Sequence, residues 1–246
     1  MSLLIDIGNS RLKAGLQQAG KIELLPARFW RDEEPDALFD GVLGGLAPQP
    51  VLASNVAGEE IGSALARWVR ARWKQDVRFA RVMPAFAGMR TRYEQPNRLG
   101  VDRWLAALAG FQLARGAACV IDSGTAFTAD VVNAQGEHLG GLIAPGLSLM
   151  ARSLTQGTAH LNLDVVQRVD AIATNTRAAI SLGCQDAIAG LVAQLARRVA
   201  REVPGAMAWF ITGGEAAQIA AFVEVPLRVE QDLVLRGLAL WGEQNA

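Results

Sequence analysis

The sequence predicts an α/β protein built from two copies of one unit, and three observations predict it. An apolar run, Leu3, Leu4 and Ile5, passes into Asp6, Ile7, Gly8, Asn9 and Ser10, after which Leu12, Ala14 and Leu16 alternate with Arg11, Lys13 and Gly15. A second apolar run at 118–121 passes into Asp122, Ser123, Gly124, Thr125 and Ala126, and residues 127–132 carry it on. Asp6 and Asp122 stand 116 positions apart, close to half of the 246 residues. An apolar strand, a glycine turn and an alternating strand make a β-hairpin. The return of that hairpin after half a chain reads as an internal duplication.

The remaining elements follow in order. Residues 61–74 (IGSALARWVRARWK) place apolar side chains at helical spacing and basic ones on the other face, which predicts a surface helix. Residues 83–100 are rich in Pro, Arg and Gly without periodicity and read as a loop; so long a loop in a compact domain is commonly functional or disordered. Residues 102–115 (DRWLAALAGFQLAR) predict a helix with an acidic first turn and an arginine near its end. The boundary between the halves falls near Gly116, giving domains 1–115 and 116–246. In the second half, 140–146 (GGLIAPG) is a glycine-bounded strand and turn, and 170–202 is alanine-rich and helical from about Thr174, Asn175 and Thr176. A short strand at 209–212 runs into Gly213 and Gly214, Glu215 opens a helix, and 232–244 forms the last one.

Composition narrows the function. Lys and Arg together number 24, against 24 Asp and Glu, so the net charge is zero and a nucleic-acid binder relying on a basic face is disfavoured. The two cysteines, Cys119 and Cys184, lie among apolar or small neighbours without metal-ligand spacing and read as core residues rather than a disulfide framework. The N-terminus, MSLLIDIGNS, has neither the basic start nor the apolar stretch of a signal peptide. No segment reads as the ~20 apolar residues of a membrane span. The expectation is a cytoplasmic protein without membrane or nucleic-acid partners. His138 and His160 have no partner pattern and receive no role, and Trp104 reads as packing.

The first hairpin carries Asp-x-Gly-Asn-Ser-x-x-Lys, formed by Asp6, Gly8, Asn9, Ser10 and Lys13. A glycine turn lets backbone N–H groups face an anion without a Cβ in the way. The serine hydroxyl and lysine ammonium add donors and positive charge for phosphate oxygens. Asp6 can hold a hydrated Mg²⁺ on those phosphates, since Mg²⁺ keeps several waters and takes one or two carboxylates. Taken alone, a plain hairpin with polar turn residues explains the motif as well. The second copy, Asp122, Gly124 and Thr125 with Thr128 beyond, supplies another such turn, and Gly213–Gly214 supplies a third loop that a nucleotide can approach closely. Neither the Walker P-loop nor the Rossmann glycine fingerprint is present.

Paired Asp/Gly hairpins with a late Gly-Gly resemble the acetate and sugar kinase, Hsp70 and actin superfamily. The linking segment is more specific: Tyr93, Pro96, Leu99, Gly100, Asp102, Arg103 and Trp104 form the string Tyr-x-x-Pro-x-x-Leu-Gly-x-Asp-Arg-Trp. This string resembles the type III pantothenate kinases, as do the segments 6–13, 122–128, 140–146, 175–176 and 212–214, in the same order along essentially the whole chain. Ser10 stands where the family also uses threonine, and the hydroxyl is kept. The resemblance implies two duplicated ribonuclease H-like, actin-like ATPase domains with the active site in the cleft between them. It implies ATP-dependent phosphorylation of pantothenate to 4′-phosphopantothenate, the first step toward coenzyme A.

The residue roles follow from the same resemblance. Asp6, Ile7, Gly8, Asn9, Ser10, Arg11, Leu12, Lys13, Gly124, Thr125, Gly213 and Gly214 bind ATP, with Mg²⁺ at Asp6. Tyr93, Gly100, Val101, Asp102, Arg103 and Thr176 bind pantothenate, and Asp102 is the general base. A monovalent cation, K⁺ or NH₄⁺, belongs at Asp122. The family also implies a homodimer, for which residues 144–161 and the alanine-rich helix offer interface. Chemistry agrees at two points: a carboxylate can take the proton of an acceptor hydroxyl, and an arginine can pair with the carboxylate that pantothenate carries. On its own, Asp102–Arg103 reads more simply as an acidic first turn with a surface ion pair, and Thr174 and Thr176 can also be read as helix caps.

Three rivals make different demands on the sequence. Another small-molecule kinase of the superfamily would keep the hairpins and lack the 93–104 string. A non-enzymatic regulator would lose Asp102 or Lys13, or gain a basic helix-turn-helix. A phosphatase or nuclease on the same half-fold would add clustered carboxylates near Asp6 or Asp122, and none stands there in sequence.

Overall fold

The computed structural model describes residues 1–31, 33–47, 50–155 and 168–244. The chain divides into two compact units, Met1–Leu113 with Asp232–Ala246, and Ala114–Gln231.

In the first unit β1 (Ser2–Ile7), β2 (Arg11–Gln18) and β3 (Lys21–Leu24) form an antiparallel meander, and β4 (Arg28–Phe29) pairs with the start of β2. Helix α1 (Pro35–Leu43), with a proline in its first turn, precedes β5 (Val51–Asn55), and α2 (Glu59–Trp73) leads to β6 (Val77–Phe79). Strands β5 and β6 run parallel to β1, so the sheet order is β3-β2-β1-β5-β6. Leu3, Ile5 and Ile7 alternate onto one face, where they join Leu38, Phe39 and Leu43 of α1 and Ile61, Leu65 and Val69 of α2 in one core. Glu59 and Glu60 begin α2 and Arg70 and Arg72 end it, matching the sign of the helix dipole at both ends.

The stretch 83–100, expected as a loop, contains a short hairpin, β7 (Ala85–Phe86) and β8 (Met89–Thr91), and a 3₁₀ turn at Pro96–Arg98. Strands of two and three residues are too short to show alternation, which is why periodicity missed them. Ala87 and Gly88 close the hairpin with φ of 47° and 81°, the backbone pair that tight hairpins select. Helix α3 (Val101–Ala114) follows, with Trp104 wholly buried against Phe86 at 5.7 Å between ring centroids.

The second unit repeats the plan. Strands β9 (Ala118–Ser123), β10 (Ala126–Val132) and β11 (Glu137–Pro145) form the meander, with β12 (Ala208–Thr212) and β13 (Arg228–Val229) parallel to β9. These five run β11-β10-β9-β12-β13, the same order as the first sheet. Helices α4 (Leu147–Thr155), α5 (Thr176–Glu202) and α6 (Ala216–Ala220) complete it. Cys184, Ile188, Val192, Leu195 and Val199 recur at helical spacing along α5 and meet Cys119, Ile121, Phe127 and Ala129 of the sheet. By length and composition α5 is apolar enough to cross a membrane, contrary to the expectation that no such segment exists. Here that apolar face lies in the core of the second unit.

The C-terminal helix (Leu233–Gln244) departs from the expected domain limits of 1–115 and 116–246. It joins the first unit, where Gly237 lets it approach the carbonyl of Leu105 and Gly242 lets it approach Leu52. A Cβ at either glycine would stand 2.1 or 2.2 Å from those neighbours. Its apolar stripe was legible in sequence, but a stripe does not say which sheet receives it.

Candidate active site

Three clusters hold the residues singled out by sequence. The first is the β1–β2 turn. Asp6 is 5% exposed at the end of β1 and pairs across the ladder with Lys13 of β2, so an acid and a base sit opposite each other next to the turn. Gly8 donates its N–H to the Arg11 carbonyl at 3.0 Å, closing the turn. The turn's outward carbonyls are taken by a segment that sequence reasoning passed over. Trp30 Nε1 donates to the Gly8 carbonyl at 2.8 Å, Arg31 Nε to the Asn9 carbonyl at 2.7 Å, and the Trp30 N–H to the Ser10 carbonyl at 3.4 Å. Arg11 lies over the Phe29 ring at 4.4 Å, and β4 pairs with β2 beside it. With three successive carbonyls engaged on one side, the peptides of the turn are held in one orientation. The signal available in sequence was the Arg-Phe-Trp-Arg string at 28–31, aromatic and basic residues in an otherwise irregular stretch.

The second cluster is the β9–β10 turn and the loops against it. Asp122 is half-buried and pairs in register with Thr128 on one side and Thr212 on the other. Gly213 has φ of +99°, and a Cβ there would stand 2.1 Å from the Ser123 carbonyl and 2.6 Å from Asp122 Oδ1. Only glycine permits that conformation and that approach. A Cβ at Gly146 would likewise stand 2.1 Å from the Gly124 carbonyl, while the Gly146 N–H donates to the Thr125 carbonyl at 3.0 Å. Gly124, Thr125, Gly146 and Gly213 are thereby brought together around Asp122.

The third cluster opens α3. Asp102 is half-buried in the helix's first turn, and its Oδ1 accepts from the Arg103 N–H at 2.8 Å. Gly100 starts the helix by accepting from the Trp104 N–H at 3.0 Å, and a Cβ on it would meet Asp102 Oδ1 at 2.6 Å. Arg103 is only 9% exposed and donates through Nη1 to the Tyr93 hydroxyl at 3.2 Å. Tyr93, Gly100, Val101, Asp102 and Arg103 therefore form one group in the first unit. A buried arginine whose guanidinium donates to a tyrosine hydroxyl suits recognition of an anionic group.

Type III pantothenate kinase is the family whose model matches residues 2–198. The chain belongs to that family. A type III pantothenate kinase from Chromobacterium violaceum is 37% identical, over 97% of this chain and 98% of its own. Among solved structures, a Campylobacter jejuni protein assigned to the Baf family of transcriptional activators matches with a TM-score of 0.64 at 23% identity, covering 99% of this chain and 98% of that one. A ROK family protein from Streptococcus pneumoniae matches with a TM-score of 0.51 at 15% identity, covering 99% and 98%. At these identities the structural likeness concerns the fold, two ribonuclease H-like units of the actin-like ATPase kind.

For this family member, Thr176 lies in the second unit, apart from the 93–103 group in sequence and in unit. It is exposed at the first position of α5, and the cap is neither Thr174 nor Thr176 but Asn175, whose side chain accepts from the Ala178 N–H at 2.9 Å. Thr176 borders an open apolar groove of about 490 Å³ with Met150, Leu154, Ile180 and Cys184. His138, given no role from sequence, is fully buried and pairs through Nε2 with Asp130 Oδ1 at 2.9 Å. His160 and the 156–161 part of the expected interface lie outside the described residues. Burial pushes both cysteine thiols up, and at Cys119 the charge of Asp130 adds to that larger effect. Among the described residues no cluster of three or more His, Cys, Asp or Glu could hold a metal. A cation here would rest on single carboxylates with backbone and phosphate oxygens, which suits Mg²⁺ with its retained waters.

Proposed function

We propose that this chain transfers the γ-phosphoryl group of ATP to the hydroxyl of pantothenate, giving 4′-phosphopantothenate and ADP. The observation that carries this reading is the family match across residues 2–198, which spans all three clusters except the Gly213–Gly214 loop. In the reaction the bond between the γ-phosphorus and the β,γ-bridging oxygen breaks and the pantothenate oxygen takes its place on phosphorus. Asp102 receives the hydroxyl proton, a late event in a loose phosphoryl-transfer transition state. Arg103, buried and steadied by Tyr93, pairs with the pantothenate carboxylate, and Gly100, Val101 and Thr176 contribute to the same recognition.

Residues Asp6–Lys13 bind the phosphates, with Ser10 and Lys13 supplying hydroxyl and charge, and Asp6 would hold Mg²⁺. Gly124, Thr125, Gly213 and Gly214 receive the nucleotide. When bound, Mg²⁺ would neutralise charge on the phosphates, and Asp122 would hold a monovalent cation that adds to that. The protein acts in the cytoplasm as a homodimer, through α4 and α5, where Leu154 is 58% exposed beside the groove.

The test is ADP release from protein, ATP and Mg²⁺, with K⁺ or NH₄⁺, in the presence and absence of pantothenate. ADP formed only with pantothenate supports the reading. ATP binding without any response to pantothenate overturns the substrate, and no ATP binding overturns the whole assignment.

A further inference from the structure

Glu215 follows Gly213–Gly214 and stands at the N-cap of α6, yet its side chain makes no bond to its own helix. Its carboxylate instead reaches segments 67 to 92 residues earlier. Oε1 accepts from the Ser148 N–H at 3.0 Å and the Ser148 hydroxyl at 2.6 Å. Oε2 accepts from the Leu147 N–H at 3.1 Å and the Ser123 hydroxyl at 3.0 Å. Both oxygens are engaged twice, and the two N–H groups belong to the first turn of α4, where a negative charge is favoured. Ser123 is wholly buried between Asp122 and Gly124. Backbone bonds run beside the carboxylate, from the Glu215 N–H to the Ser123 carbonyl at 3.3 Å and from the Gly146 N–H to the Thr125 carbonyl at 3.0 Å.

These contacts answer a problem set by the glycines. Gly146 and Gly213 bring three loops so close that no Cβ fits between them. Loops without side chains at their meeting point have little apolar packing to hold them in register. A charged acceptor with four donors from two of the loops, carried on the third, does so instead. Hydrogen bonds to a charged group are stronger than neutral ones and are directional, so the position of the Asp122–Thr125 turn relative to Gly213–Gly214 depends on this carboxylate.

We propose that Glu215 is a positioning residue for the nucleotide: by cross-linking the Ser123 turn, the start of α4 and the Gly213–Gly214 loop, it holds the ATP-binding face of the second unit in its binding shape. The proposal rests on the assignment of those loops to ATP. It separates from a merely structural role because Tyr93 and Gly100 to Arg103, the residues assigned to pantothenate apart from Thr176, lie in the other unit.

The experiment uses the full chain with Glu215→Gln, Glu215→Ala and Ser148→Ala, singly, and with Ser148→Ala added to Glu215→Ala. Affinity for a non-hydrolysable ATP analogue with Mg²⁺ is measured by calorimetry, beside KM for ATP and for pantothenate and the melting temperature. The expected result is a rise of about tenfold or more in KM for ATP and in analogue Kd for the Glu215 variants. The KM for pantothenate stays within about twofold, and Ser148→Ala costs nothing further in the Glu215→Ala background, as for residues acting as one unit. Equal rises in both KM values, or a lowered melting temperature with unchanged kinetics, overturn the proposal. Should the Glu215 variants not fold, Ser148→Ala alone decides, with a few-fold rise in KM for ATP expected and no rise counting against it. Failure of the unmodified protein to bind the analogue overturns the ATP assignment and this proposal with it, and is recognised because it needs no variant.

Discussion

Gly213→Ala tests a contact that, with the one at Gly146, is among the tightest in the second unit. At φ of +99° an L side chain is strained, a cost of order 1–3 kcal/mol. The added Cβ would lie 2.1 Å from the Ser123 carbonyl oxygen and 2.6 Å from its carbon. Both atoms are backbone, so a strand has to move rather than a side chain rotate, an overpacking cost of about 1–3 kcal/mol. The two together come to about 4 kcal/mol, which for a chain of this length lowers the melting temperature by about 8–16 °C. Gly190→Ala is the control. It lies inside α5 with nothing within 4 Å of the new Cβ, and removing a helix-interior glycine stabilises by about 0.5–1 kcal/mol. Thermal denaturation followed by circular dichroism reads both, and KM for ATP reads the displacement of Asp122. Gly213→Ala melting within about 2 °C of the unmodified protein would refute the steric argument, whatever its activity.

Other outcomes follow from the same structure. Asp102→Asn keeps the size of the side chain and the bond from the Arg103 N–H, so ATP-analogue affinity holds while kcat falls by about 10²–10⁴; a kcat within tenfold of the parent removes Asp102 as base. Trp30→Phe deletes the 2.8 Å bond to the Gly8 carbonyl and is expected to cost about 0.5–1.5 kcal/mol, with a few-fold higher KM for ATP in steady-state assays. His138→Ala removes a buried partner of Asp130 and should destabilise by about 1.5–3 kcal/mol in urea titration, with KM for both substrates unmoved. The raised cysteine thiols keep their protons in the folded state after unfolded thiols, ionising near ~8.5, have lost theirs. The folded state therefore binds more protons above that pH, and stability falls as pH rises through it; thiol-labelling rates and melting curves from pH 8 to 10 check the sign.

What sequence made legible was whatever repeats locally. The two Asp/Gly hairpins, the helices other than α1 and α4, and the 93–104 string all show in residue spacing, and the structure gathers Tyr93, Gly100, Asp102 and Arg103 into one group. Sequence missed contacts made by single residues at long range. Trp30 and Arg31 reach back 22 positions to the first turn, and Glu215 reaches 67 and 92 positions back to α4 and Ser123. Nothing in spacing announces a bond that depends on where two loops meet. The small strands β7 and β8 and the destination of the C-terminal helix were hidden for the same reason.

The return of that helix bears on how the protein is made. Of the two units, Ala114–Gln231 is continuous, whereas the other needs Asp232–Ala246 to complete it. Domains commonly fold in the order in which they leave the ribosome. Here the first half of the chain emerges with Leu52 and Leu105 still awaiting the helix that carries Gly242 and Gly237. The half synthesised second can therefore finish first, and the start of the chain waits for its end.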